Sequence, residues 1–314
     1  MKTYLKIPVL CLCLTAFAAC EVEFDFKELD GAPLFLLDGN IIAGHSASGS
    51  ASFQMYLYAV PSAAGDREFS EESRCTLKVY RNSELIDVKD YITIESFYGL
   101  IADEYTVSPG DEVTVTAESD GFQTASASTV IPQNPPAVEM TCSRDGDNLD
   151  VRFSFGDNAG TDDAYAFSFR TLASDGKPGD NDPGHMVELP YGDLGTQVMD
   201  NGPFDVVWED GYQYYCILDD SFNGGRKEME LTFPSFPFSS DMASYFRIEI
   251  RRISPERLRY EIARADKGSN ILGFIGLAPV TFAYTNVSGG AGCFSGVNSG
   301  YSDWIKVPRL LAEP

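Results

Sequence analysis

The sequence predicts a mainly β protein: an N-terminal immunoglobulin-like β-sandwich followed by a larger β-rich domain with one short helix. Three observations predict it. Short segments rich in alternating apolar, aromatic and β-branched residues recur along the chain. Gly, Pro, Asn and Asp clusters separate them. Only one segment carries strong helical spacing. Strands of this length at this repeat, without long helices, are the pattern of sandwiches.

In the first half, Leu34 to Ala43 is apolar around Asp38-Gly39, and Phe53 to Val60 reads FQMYLYAV. Arg74 to Arg81 alternates, with Cys75, Leu77 and Val79 on one face. Tyr91 to Ile94 is a short strand. Ser108-Pro109-Gly110-Asp111 is a turn, and Glu112 to Glu118 follows with Val113, Val115 and Ala117 together. Gly121 breaks the run before a strand from Thr124 to Ile131. Pro132 and Pro135-Pro136 mark the boundary, because proline ends strands and stiffens linkers. The division is a signal segment 1–19, an acidic tether 20–33, the sandwich 34–132 and the β-rich domain 133–314.

In the second half, Ala137 to Cys142 and Leu149 to Phe155 flank the turn residues Asp145 to Asn148. Tyr165 to Arg170 is a strand. Lys177 to Asn201 is rich in Gly, Pro and Asp and reads as a loop. Tyr212 to Leu218 and Lys227 to Phe233 flank Gly224-Gly225. In Tyr245 to Arg251, Phe246, Ile248 and Ile250 oppose Arg247, Glu249 and Arg251. Ser254 as N-cap, Pro255 at the first helical position and Glu256 near the positive end predict a helix to about Asp266. Leu258, Ile262 and Ala265 share its apolar side.

The N-terminus reads MKTYLKIPVLCLCLTAFAAC. Lys2 and Lys6 precede an apolar run of thirteen residues, Ile7 to Ala19. That suits a signal peptide and falls short of the roughly 20 residues of a membrane span. Ala18 and Ala19 before Cys20 form a lipobox, with Phe17 where Leu is usual; lipid on Cys20 then anchors the mature chain to a membrane. Ordinary cleavage after Ala18 is the alternative. Glu21, Glu23 and Asp25 follow at once. This acidic stretch resembles the surface-export signal of Bacteroidota lipoproteins, implying outer-membrane localisation on the cell surface, with the periplasmic face as the alternative.

The formal net charge is −24, and removal of the two signal lysines makes it −26. Such a surface repels phosphates, which excludes nucleic acid as a natural partner. Outside the signal and Cys20, Cys75, Cys142, Cys216 and Cys293 remain. They are an even number in an oxidising compartment, without metal spacing; free thiols and disulfides both fit.

The ordered pieces LFLLDGNIIAG, PGDEVTVTAESDGFQTASASTVIP, DNAGTDDAYAFSF, LDDSFNGG, ISPERLRYEIARA and NVSGGAGCFSG cover nearly the whole mature chain. In that order they resemble the Bacteroidota lipoprotein family known as domain of unknown function 4249. The tyrosine pair usual in the fifth piece is reduced to Tyr260. The resemblance implies an outer-membrane-associated β protein, often encoded near TonB-dependent transporters, and no assigned activity. No catalytic residue carries over. The expectation is a non-enzymatic envelope lipoprotein serving such a transporter; a stand-alone glycan- or peptide-binding module is the alternative, and a hydrolase the third reading.

His45 lies in GHSASG, which lacks the last glycine of a nucleophile elbow, so a loop is expected. His185 lies in DPGHM within the long loop. From Gly156 to Asp220 there are fourteen acidic residues against Arg170 and Lys177. Within that stretch Asp175, Asp180 and Asp182 stand around Gly176 and Gly179 and form a candidate calcium site, though without the spacing of an EF-hand; a solvated loop is the competing reading. No other cofactor is expected. Six arginines between Arg247 and Arg264 could face an acidic partner, pair with the acidic stretch, or lie on an exposed face. LTFPSFPF, Leu231 to Phe238, reads as a contact surface or as core plus turn. Gly289, Gly290, Phe294 and Trp304 are candidate partner contacts; the competing reading is a buried closing strand whose glycines permit tight packing.

Overall fold

The structure is a computed structural model that describes residues 34–44, 52–60, 74–93, 100–146, 148–160, 163–180, 182, 184–187, 205–209, 212–233, 243–260 and 284–308. The chain is mainly β. Its first half holds β1 (Leu34–Gly44), β2 (Phe53–Val60), β3 (Arg74–Arg81), β4 (Glu84–Thr93), β5 (Leu100–Asp103), β6 (Glu112–Glu118) and β7 (Ala125–Val130). The second holds β8 (Val138–Asp145), β9 (Asn148–Gly156), β10 (Ala164–Ser174), β11 (His185–Met186), β12 (Asp205–Glu209) and β13 (Tyr212–Leu218). Then come β14 (Arg226–Phe233), β15 (Ala243–Ile253), β16 (Gly290–Tyr301) and β17 (Ile305–Lys306). Residues 255–260 are helical.

Among the described residues these strands form one long sheet and two small ones. The long sheet has the order β12-β13-β10-β15-β16-β1-β2-β5, with β11 beside β10 and β17 beside β15. The small sheets are β4-β3-β6-β7 and β14-β9-β8. Both cover the same face of the long sheet, at opposite ends. At one end Phe35, Leu37, Phe53, Met55 and Phe294 pack against Leu77, Val79, Val113 and Val115. At the other Phe167, Phe169, Phe246 and Ile248 pack against Val151, Phe153, Leu231 and Phe233. Strands of the small sheets alternate as the pleat requires; β3, for example, buries Cys75, Leu77 and Val79.

The sheets do not divide at Pro132. β16, from the end of the chain, pairs in parallel with β1 from Phe35↔Gly290 to Gly44↔Ser299, and antiparallel with β15. Residues 34–132 therefore leave β1 unpaired on one flank until residue 290 arrives.

Several elements differ from expectation. Asn82 and Ser83 adopt φ of 51° and 68°, a two-residue hairpin turn of the kind that matches strand twist. It starts β4 at Glu84 and makes that strand longer than the short one expected around Tyr91. β12 and β5 carry too little alternation to stand out. Ser254 precedes the helical residues, but its hydroxyl caps nothing; its carbonyl accepts from the Arg257 N–H at 3.0 Å. Leu258 is buried, while the expected partners Ile262 and Ala265 lie outside the described residues. The four cysteines Cys75, Cys142, Cys216 and Cys293 are free thiols.

Candidate functional site

On the face of the long sheet turned away from the two small sheets, a buried polar band lies beside an apolar cluster that includes Ile42, Ala166, Ile253 and Leu258. Strand register places Ser168 and Arg170 of β10, Arg247, Glu249 and Arg251 of β15, and Ser299 and Tyr301 of β16 side by side there. Glu249 is 0% exposed, and its Oε2 accepts from Ser168 Oγ at 3.0 Å and from Arg170 NH2 at 2.7 Å. Its Oε1 accepts from Arg251 Nε at 2.8 Å. Burial works against the charged carboxylate, but Arg251 and Arg170 outweigh it and hold the group below its usual range. The Arg251 guanidinium also lies 4.3 Å from the Tyr214 ring centre.

Arg247 sits between Tyr301 and Trp304, 3.9 and 4.4 Å from their ring centres. It donates to the backbone carbonyls of Asp180 and Asp182 at 2.9 and 2.5 Å. The basic band therefore meets the acidic stretch in cis. Its described strand members are buried and present no surface to an acidic partner.

The residues of the expected calcium site lie on the surface near this network. Asp175, Asp180 and Asp182 are exposed and are not gathered. Asp182 Oδ2 accepts from the Gly179 N–H at 2.7 Å, and the nearby carbonyls face a guanidinium. Among the described residues, the acids close enough to share a cation are Asp157, Asp163 and Asp219. They stand at strand ends: after β9, before β10 and after β13. Arg252 already lies among them, 3.3 Å from Asp163 and 4.0 Å from Asp157, and its NH2 donates to Tyr165 Oη at 2.8 Å. Tyr165 in turn donates to Asp157. Burial, with the hydrogen bond to Asp157, pushes the Tyr165 phenol well above its usual range. The clue in the sequence was positional: acids bracketing apolar strands at one end of a sheet.

The residues expected as partner contacts, Gly289, Gly290, Phe294 and Trp304, lie in or beside β16. Phe294 is 0% exposed and packs in the first core. Trp304 is 4% exposed and donates from Nε1 to the Gly179 carbonyl at 3.2 Å. Gly290 is paired with Phe35, and a Cβ there would lie 2.6 Å from the Phe35 carbonyl oxygen. At Gly289, φ is +70° and a Cβ would lie 2.2 Å from the Thr124 carbonyl oxygen. The segment is the closing strand, and its glycines admit neighbouring backbone. His185 is exposed on β11. Leu231 and Phe233 are core, whereas Phe236 lies outside the described residues, as do His45 and Cys20.

The linker between the halves lies against β16. Thr129 Oγ1 accepts from the Gly296 N–H at 2.7 Å, and Asn298 Nδ2 donates to the carbonyl of Pro132 and to Asn134 Oδ1, each at 3.1 Å. A Cβ at Gly296 would stand 2.7 Å from the Val130 carbonyl oxygen. Beside this crossing a cleft of about 720 Å³ opens between the end of β7 and the start of the helical residues. Glu112, Asp163 and Glu256 line it, with Ser254, Tyr284 and Val130. Ser254 is 6% exposed and its Oγ has no hydrogen-bond partner. Burial and the Glu256 carboxylate push the Tyr284 phenol up. Among the described residues the lining carries no Lys, Arg or His. Sequence reading missed this site because its walls come from five separate stretches.

Fold and site together define an all-β scaffold with a buried ionic face and an acidic cleft at its seam. The chain belongs to the family described as domain of unknown function DUF4249, whose model matches residues 25–302. No curated protein matches it in sequence. Among solved structures it is similar to trypsin-activated alpha-2-macroglobulin from Escherichia coli, at 8% identity and a TM-score of 0.25. That match covers 72% of this chain and 15% of the other. It is also similar to red sea bream transglutaminase, at 10% identity and a TM-score of 0.22, over 87% of this chain and 31% of that one. Similarities of this size carry no functional argument.

Proposed function

We propose that this chain is a non-enzymatic envelope lipoprotein, held by lipid on Cys20 at the outer membrane, on the cell surface, as accessory to or partner of a TonB-dependent transporter. The observation that carries the reading is the junction of anchor and fold. Thirteen residues separate Cys20 from Leu34, a covalent reach of at most about 45 Å. They lead into β1, which is hydrogen-bonded on both flanks, by β16 and β2. A lipid-tethered chain entering at a central strand holds the whole sheet close to the membrane. Among the described residues no helix is long and apolar enough to cross it.

The test has two arms. Cys20→Ser is expected to release the protein from the membrane fraction, and the lipidated protein, cross-linked in cells, is expected to co-purify with a transporter. A Cys20→Ser protein that resists a carbonate wash would remove the anchor, and cross-linking without any transporter would remove the partner. A stand-alone peptide-binding module is the second reading, favoured by Glu112 and Glu256 of the cleft, which carry no ion pair among the described residues.

A further inference from the structure

We infer that the cleft at the seam binds a lysine- or arginine-bearing segment of a protein partner, seating an apolar stem against Val130 and a cationic head among Glu112, Glu256 and the Ser254 hydroxyl. The inference rests on the binding reading of the protein and not on the identity of its membrane partner.

Charge gives the first argument. Of the three carboxylates lining the cleft, Asp163 is paired with Arg252. Among the described residues Glu112 and Glu256 carry no ion pair. Arg259 hydrogen-bonds the Tyr284 phenol and is not part of the lining. The cleft therefore holds surplus negative charge in a partly enclosed space, where a cation is attracted more strongly than on open surface. Anionic ligands are disfavoured by the same charge.

Polar satisfaction gives the second. A buried hydroxyl without a partner is costly, and Ser254 Oγ is one. Its backbone N–H donates to the Gly296 carbonyl at 3.1 Å, which fixes the residue in the cleft wall with its hydroxyl unpartnered. Ammonium and guanidinium groups carry several donors and no acceptor, which suits a lining that offers carboxylates and a hydroxyl.

Shape gives the third. Among the described residues Val130 is the most exposed large apolar residue, and it stands in this lining. Together with Ile131, Pro132 and Pro255 it makes an apolar wall beside the acids. A long aliphatic stem ending in a cation is the side chain that matches such a pairing. The wall is also rigid, because Asn298 and Gly296 tie residues 129–134 to β16. A preorganised wall lowers the ordering cost of binding.

The test titrates the detergent-solubilised mature protein with a tetralysine amide peptide, and with the same peptide acetylated on every side chain. Calorimetry is run at about 150 mM salt, where the Debye length is ~8 Å and loose surface attraction is screened. Saturable single-site binding of the cationic peptide alone is expected. Glu112→Gln with Glu256→Gln should weaken it at least about tenfold. The control pair Glu228→Gln with Glu230→Gln, on exposed positions of β14, removes the same charge elsewhere and should change it less than about twofold. Should the cleft variant prove unstable, Val130→Lys at its exposed position puts a competing ammonium at the rim and should give the same loss. Absence of saturation up to about 1 mM, or equal weakening by both charge pairs, overturns the inference. Co-purification with a transporter alongside no tetralysine binding would leave the proposed function standing and remove only this occupant.

Discussion

β15 and β16 lie side by side at the middle of the long sheet and are built on opposite principles. β15 fills its outer face with Arg247, Glu249 and Arg251, large charged groups that are all buried. β16 places Gly290, Gly296 and Gly300 on its inner face, where neighbouring backbone or proline comes within 3.0 Å of the position a Cβ would take. One strand is held by matched charge, the other by the absence of side chains. The difference predicts how each fails. β16 should be intolerant of any added atom, and β15 intolerant of losing one charge while tolerating changes of packing.

The largest effect tests whether β16 is part of the first sandwich. A fragment ending at residue 131 lacks the parallel partner of β1 and the strand carrying Phe294. It should show no cooperative thermal transition, because an unpaired central strand leaves a row of backbone groups and a core gap. A sharp transition by circular dichroism would show that β16 merely rests on a finished domain.

Gly290→Asp comes next. Its Cβ would meet the Phe35 carbonyl oxygen, and its carboxylate would enter half-buried space without a cation. The loss should exceed about 4 kcal/mol, seen as failure to accumulate. A normal yield and melting temperature would restore an exposed contact role for this segment.

Glu249→Gln probes β15. Removing the one acid that joins Arg170 and Arg251 leaves buried guanidinium charge behind, at a cost of roughly 3–5 kcal/mol. The pH dependence carries a sign. The folded carboxyl lies below its unfolded range near ~4.3, so its stabilisation is complete above that range and is lost as pH falls through the folded value. The parent should therefore lose melting temperature on acidification below about pH 4, and Glu249→Gln should lose less over the same window. Identical acid profiles would mean the charge network contributes nothing net.

Asn298→Ala should cost less, about 1–3 kcal/mol, by freeing the Pro132 carbonyl and Asn134 from their shared donor. Hydrogen exchange at residues 131–135 should rise in step. Unchanged exchange would mean the linker holds to β16 by packing alone.

Much of this contrast was legible in the sequence, and the rest fails for physical reasons. Alternation of Phe246, Ile248 and Ile250 against Arg247, Glu249 and Arg251 gave β15 correctly, since the pleat fixes the faces. It did not give the burial of the charged face, because alternation cannot tell solvent from a second layer. The glycines of β16 lower strand propensity, so its twelve residues read equally as a partner contact or as a closing strand. Their separation by six and four residues, which keeps Gly290, Gly296 and Gly300 on one face, was the available signal. The cleft was illegible, since Glu112, Ser254 and Tyr284 come together only through the crossing of linker and closing strand.

The smallest predicted effect marks where the charge principle stops. Arg226 pairs with Glu139 at 2.5 Å and donates to Ser154, a geometry no worse than that of Arg170 with Glu249. The difference is solvent: the Arg226 and Glu139 side chains are 49% and 74% exposed, against 4% and 0% for the buried pair. Water already solvates both exposed partners, so breaking the pair strands neither, and salt screens what attraction remains. Arg226→Ala should leave the melting temperature unchanged within error at physiological salt. If it instead falls as far as in Glu249→Gln, then short distance rather than burial governs these ion pairs, and the contrast between β15 and the rest of the molecule would have to be redrawn around geometry.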